Sequence, residues 1–246
     1  MSTKKIAIVT GASTGIGRAI AAELARKSSI VGLVARSVDG LNKTLSIIRK
    51  NGGEGEIFPT DLKSIKKIQN LSKKIKEQWG RVDILVNVAG VWHGKDKVYS
   101  DIDFMNYPID AILETYNVGI TAPTILSHEL LPIMNKGSKI INISGTFESG
   151  AKGWLPYYVS KRAIEDLTVG LSEELKDKGI QVNCISPSDT ATEAYKKYFP
   201  QYVKNAIDPE EIAKHVIYLC SKEAGNVSGE VFVVKKGKKP FRGFHS

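Results

Sequence analysis

Short apolar runs alternate with amphipathic helical patterns along the sequence, and no linker, internal repeat or low-complexity stretch interrupts them. Candidate strands cover Lys5–Thr10, 30–35, 56–58, 83–87, 139–144, 181–186 and 230–234. Several are unbroken Val/Ile/Leu runs, the pattern of strands covered on both faces. Apolar residues recur at helical spacing over 15–27, 39–51, 63–79, 109–134, 157–177 and 209–221. Alternation of this kind builds right-handed crossovers, and hence a parallel sheet with helices on both sides.

The expected fold is therefore α/β: a Rossmann-like, three-layer, doubly wound parallel sheet in a single domain over 1–246. In such sheets ligands sit beyond the carboxyl ends of the strands, where the strand order reverses. The first candidate strand runs into Thr10-Gly11-Ala12-Ser13-Thr14-Gly15-Ile16-Gly17 and then a helix. Gly11 suits a tight turn, Gly15 lets a pyrophosphate approach the backbone, and Gly17 permits close helix–strand packing. The helix N-terminus offers unpaired N–H groups to phosphate. No Gly-Lys-Ser/Thr follows, so this is not a P-loop.

Composition narrows the class. Of 246 residues, 42% are hydrophobic, too many for a disordered chain. The two cysteines, Cys184 and Cys220, provide no disulfide framework or metal site. No apolar run approaches the roughly 18 residues of a membrane span, and Ile6-Ala7-Ile8-Val9 is too short for a signal-peptide core. A soluble, cytoplasmic protein without a membrane role is expected. The net charge of +9 is concentrated: 63–81 carries +6 and 221–246 carries +4. In the first segment Ile65, Ile68, Leu71, Ile75 and Trp79 form a stripe, so the lysines between them read as a solvated helix face. The second segment contains Lys235-Lys236-Gly237-Lys238-Lys239, and 235–246 is expected to be a basic C-terminal tail.

With these motifs the chain resembles the short-chain dehydrogenase/reductase family over essentially its whole length. Thr10 to Gly17 match the TGxxxGIG fingerprint, Asn87-Val88-Ala89-Gly90 is similar to NNAG, and Tyr157-Tyr158-Val159-Ser160-Lys161 contains YxxxK. Pro187 to Thr192 resembles PGxxxT, with Ser188 replacing glycine. The resemblance implies a dinucleotide held by Gly11, Ser13, Thr14, Gly15, Ile16 and Gly17 at its phosphates. It further implies contacts from Asp61 and Leu62 at the adenine, from Asn87, Ala89 and Gly90 in the middle, and from Pro187, Ser188, Thr190 and Thr192 at the nicotinamide. The second strand ends in Ala35-Arg36 without an acid, and a basic residue there goes with NADP(H) in this family; the guanidinium fork suits a 2′-phosphate.

Tyr157 and Lys161 are four apart, hence on one helix face. An ammonium beside a phenol favours the phenolate, which suits the pair to acid–base work on a carbonyl or secondary alcohol. Tyr158 has only Arg162 at that offset. By resemblance, Lys161 also grips the nicotinamide ribose, Asn117 bends its helix and relays protons, and a hydroxyl supports the reacting oxygen. Ser144, thirteen residues before Tyr157, is the first candidate for that hydroxyl; Thr146 is the alternative.

A 3-oxoacyl-carrier-protein-reductase-like enzyme is the first substrate expectation. Lys136 and Lys178 fall where such reductases meet the acidic carrier protein. A reductase of small free ketones, sugars or pterins is the alternative, and a non-catalytic dinucleotide-binding regulator with a partner-binding tail is the rival class. A tail acting on nucleic acid is disfavoured, because a non-enzyme has no need of Asn117, Ser144, Tyr157 and Lys161 together. No metal is expected, and the family implies a homodimer or homotetramer. Between 193 and 207, Tyr195, Tyr198, Phe199 and Tyr202 among lysines suggest an aromatic lid.

Overall fold

The structure is a computed structural model that describes residues 4–94, 96–147 and 150–245. Its strands are β1 (Lys5–Thr10), β2 (Ser29–Ala35), β3 (Glu54–Pro59), β4 (Ile84–Asn87), β5 (Lys139–Ile143), β6 (Gln181–Pro187), β7 (Val231–Val234) and β8 (Phe241–Arg242). Its α-helices are α1 (Gly15–Arg26), α2 (Val38–Lys50), α3 (Ile65–Trp79), α4 (Ile109–Tyr116), α5 (Ala122–Leu130), α6 (Leu155–Glu174), α7 (Glu193–Tyr198) and α8 (Pro209–Leu219). The strands form one sheet in the order β3-β2-β1-β4-β5-β6-β7-β8, parallel except for β8. This is the expected doubly wound α/β fold. The order reverses between β1 and β4, so a crevice opens beyond their carboxyl ends.

Period-two alternation divides the core. Ala7 and Val9 of β1 face one layer, with Ile20 and Leu24 of α1, Leu41 and Ile48 of α2, and Ile212 and Val216 of α8. Ile6 and Ile8 face the other, with Ile68, Leu71 and Ile75 of α3 and Leu126 and Leu130 of α5. Each fully buried Ile or Leu contributes roughly 1.5–3 kcal/mol, which anchors both layers to the strands. The α3 lysines 66, 67, 73 and 74 are exposed, leaving Ile68, Leu71 and Ile75 to pack. Among the described residues no helix is long and apolar enough to cross a membrane.

The structure differs from the sequence expectation in three places. The pattern at 109–134 is not one helix: a π turn at Asn117–Thr121 separates α4 from α5, and a 3-10 turn covers Leu131–Ile133. Pro123 supplies a cause, since it has no N–H and its ring clashes with the carbonyl four residues back. The lid contains a short helix, α7, started by Thr192, whose hydroxyl accepts from the Tyr195 N–H at 3.1 Å. Finally, the basic C-terminal segment carries a strand that the sequence did not announce: β8 pairs antiparallel with β7, and the Gly243 N–H donates to the Val231 carbonyl at 2.9 Å.

Candidate active site

A cavity of about 1000 Å³ lies beyond the carboxyl ends of β1, β4, β5 and β6. At one end is the glycine turn. Gly15 has φ of 51°, and a Cβ there would lie 2.8 Å from Cγ2 of Thr192. A Cβ on Gly17 would collide with the Gly11 carbonyl. Only glycine lets α1 start this close to its strand, and Thr14 caps α1 without a side-chain hydrogen bond. The first-turn N–H groups therefore remain available to an anion. Gly11, Ser13, Thr14, Gly15, Ile16 and Gly17 all line the cavity. Thr10 fixes the opposite wall, its hydroxyl oxygen accepting from the N–H groups of Val88 at 2.9 Å and Ala89 at 3.2 Å.

Arg36, Asp61 and Leu62 line the adenine end. Arg36 is not free: its Nη1 lies 2.9 Å from Oε1 of Glu114 on α4, and Lys63 Nζ approaches the same oxygen at 3.7 Å. The sequence reading missed Glu114. In the middle, Ala89 and Gly90 line the cavity, whereas Asn87 is turned away. Its side chain is buried and donates to Oδ1 of Asn142 at 2.9 Å, and Asn142 donates in turn to Thr168. Pro187, Ser188, Thr190 and Thr192 line the far end. Ser188 is not among the residues with positive φ, so serine in place of glycine brings no backbone strain.

At the start of α6, Tyr157 and Lys161 stack one turn apart, with Lys161 Nζ 5.3 Å from the Tyr157 ring centroid. Nζ donates to the Ile143 carbonyl at 2.9 Å, and a Cβ on Gly90 would lie 3.3 Å from it. Gly90 thus leaves room for the ammonium. Burial holds the Lys161 pKa down at about 8 and pushes the Tyr157 phenol above its ordinary value. Tyr158 points elsewhere, under the Arg162 guanidinium at 5.1 Å. Asn117 opens the π turn, whose carbonyl accepts from the Ala122 N–H. The next turn packs against α6, where a Cβ on Gly119 would meet Ser160 at 3.0 Å.

Ser144 is only 3% exposed, and its hydroxyl donates to Oε1 of Glu165 at 2.8 Å. Thr146 lies half-buried on the same cavity wall. Around Tyr157, rings from separate segments assemble, with Trp154 at 6.1 Å and Phe147 at 5.8 Å between centroids. Trp92 and Phe199 follow, each in contact with Trp154. No periodicity marks Trp92, Phe147 or Trp154 in the sequence, since each stands alone in a loop or at a helix start. Lys136 and Lys178 precede β5 and β6, at the amino ends of these interior strands, whereas the cavity lies beyond their carboxyl ends.

The family model described as short chain dehydrogenase matches residues 5–203. The chain belongs to the short-chain dehydrogenase family. This dehydrogenase is 31% identical to the uncharacterized oxidoreductase YxbG of Bacillus subtilis (strain 168), over 92% of the chain and 88% of that protein. It is 30% identical to the 7alpha-hydroxysteroid dehydrogenase of Clostridium sardiniense, over 95% and 92%. Among solved structures, a variant of actinorhodin polyketide ketoreductase with NADPH superposes with a TM-score of 0.85 at 26% identity, over 96% of this chain and 98% of that one.

Proposed function

We propose that this dehydrogenase uses NADP(H) and interconverts a carbonyl and its secondary alcohol. The observation that carries the reading is the Tyr157–Lys161 pair, set in the crevice wall between the glycine turn and Pro187-Ser188. The cradle around Gly15 and the open α1 N-terminus fit a pyrophosphate, and Arg36 with Lys63 offers cations for a 2′-phosphate. The ketoreductase with NADPH supports the same choice of dinucleotide.

When bound, NADPH supplies the hydride that reaches the carbonyl carbon. Tyr157 supplies the proton to the carbonyl oxygen, and in the reverse direction takes it from the alcohol. A phenol whose pKa burial has raised keeps that proton at neutral pH, which suits the reductive direction. The Lys161 ammonium stabilises the phenolate left behind and would hold the ribose hydroxyls, and we assign the relay from Lys161 to solvent to Asn117 in its π turn. A hydroxyl beside Tyr157 steadies the developing alkoxide. Ser144 was the first candidate, but its proton is engaged with Glu165, and we place this role on Thr146.

A carrier-bound 3-oxoacyl thioester gains no support from Lys136 and Lys178, because within this chain they lie at the amino ends of β5 and β6, away from the cavity at the carboxyl ends. The test is NADPH oxidation against a panel of carbonyl compounds, with cofactor binding followed separately by fluorescence. Turnover by the native protein, and binding without turnover by Tyr157→Phe, is the expected result. Tight NADPH binding with no carbonyl reduced would overturn the reading.

A further inference from the structure

We propose that the carbonyl substrate is a flat, ring-bearing ketone held between aromatic faces, an inference that rests on the reductase reading above. The substrate end of the cavity is walled by Trp92 from the segment after β4, Phe147 from the segment after β5, Trp154 before α6, and Tyr195 and Phe199 of the lid. These rings touch in sequence. Trp154 lies 6.1 Å from Tyr157 and 6.0 Å from Phe199, Trp92 lies 6.1 Å from Phe199, and Tyr195 lies 5.4 Å from Phe199. Phe147 closes the other side of the Tyr157 ring at 5.8 Å.

None of the five is fully buried. Rings that served only as packing would be covered, whereas these keep part of their surface on the cavity. Apolar surface left against water favours an occupant that removes it. Rings prefer offset-stacked or edge-on neighbours, so a flat partner complements this wall better than a flexible chain. The acyl chain of a thioester would also lose rotational freedom on entering such a slot.

The lid is tied to the cofactor end as well as to the wall. Arg18 of α1 contacts both the Ser13 carbonyl and Glu193 at the start of α7, and Gly15 sits against Thr192. Filling the phosphate site therefore bears on the segment that carries Tyr195 and Phe199.

The experiment compares kcat/KM with NADPH for two tetralones, for cyclohexanone, and for the N-acetylcysteamine thioester of acetoacetate. The tetralones are expected to exceed the thioester by about tenfold or more, the scale that aromatic stacking and apolar fit provide. Trp154→Ala should raise KM for the tetralones at least several-fold more than for the thioester, while the NADPH dissociation constant stays within about twofold. Trp154→Phe should restore most of the loss. Phe199→Ala, on the lid, reads the same effect if Trp154→Ala does not fold. A thioester reduced as well as the tetralones, or variants that weaken all substrates alike, would overturn the ring preference and leave the reductase standing. No reduction of any carbonyl by NADPH-loaded protein would overturn both.

Discussion

The Ser144 hydroxyl donates a hydrogen bond to Oε1 of Glu165, which has no exposed surface. The other carboxylate oxygen accepts from the His245 N–H at 2.7 Å and lies 3.4 Å from Arg162 Nη1. One buried carboxylate thus joins the end of β5, the middle of α6 and the C-terminal segment. A buried charge is tolerable only while such partners remain.

Ser144→Ala should therefore act mainly on stability. Leaving Glu165 one donor short costs about 1–3 kcal/mol, measured as a lower midpoint in urea. Thr146→Ala should do the opposite, sparing the midpoint and lowering kcat by about 10²-fold, the scale of one lost donor to a reacting oxygen. If Ser144→Ala abolishes turnover in protein of native stability, Ser144 rotates onto the substrate and Thr146 has no such role.

Tyr157 and Tyr158 are separated by the same geometry. Tyr157→Phe keeps the ring beside Trp154 and removes the acid, so kcat should fall by roughly 10²–10⁴-fold with NADPH binding retained. Tyr158, turned under Arg162, should be replaceable by Phe with kcat nearly unchanged. Steady-state rates on both variants decide the matter, and the reverse pattern would move the acid to Tyr158.

Lys161 sets a pH limit. Its ammonium, desolvated by burial, loses its proton near pH 8 in the folded protein. Reduction needs that charge beside the phenol, so kcat/KM, which reports the free enzyme, should fall as pH rises through about 8. The unfolded chain keeps the proton to about 10.4. Between the two values the unfolded state binds more protons, so the cost of burying this ammonium, full below about pH 8, is progressively relieved as pH rises. Lys161→Met should remove both dependences. A flat kcat/KM profile across this range in the native protein would show that the lysine charge does not limit the reaction.

The sheet and the glycine turn were legible because their signals are local. A strand covered on both faces must be apolar along its length, as Ile6–Val9 is, and α1 cannot start where it does without Gly17. What stayed hidden depends on pairing between distant residues. Phe241–Arg242 is two exposed residues long and becomes a strand only beside β7. Glu165 follows Ser144 by 21 positions, and nothing in either neighbourhood announces their bond. The aromatic wall was half visible, since Tyr195 and Phe199 cluster in the lid, while Trp92, Phe147 and Trp154 arrive from separate segments.

Arg36 and Glu114 are 78 residues apart, and their 2.9 Å contact bears directly on cofactor choice. Arg36 is largely exposed and Glu114 only partly covered, so water screens the pair and it contributes about 1 kcal/mol or less by itself. Its effect is competitive, because a 2′-phosphate approaching Arg36 and Lys63 meets the Glu114 carboxylate that already pairs with both. Glu114→Gln should leave both cations unpaired and tighten NADPH binding by about two- to fivefold, with little change for NADH. Arg36→Ala should weaken NADPH by roughly 1.5–3 kcal/mol and again spare NADH. Dissociation constants for both dinucleotides, measured at low and high salt, test this directly. A loss of NADPH affinity in Glu114→Gln would mean that the carboxylate positions Arg36 for the phosphate rather than competing with it.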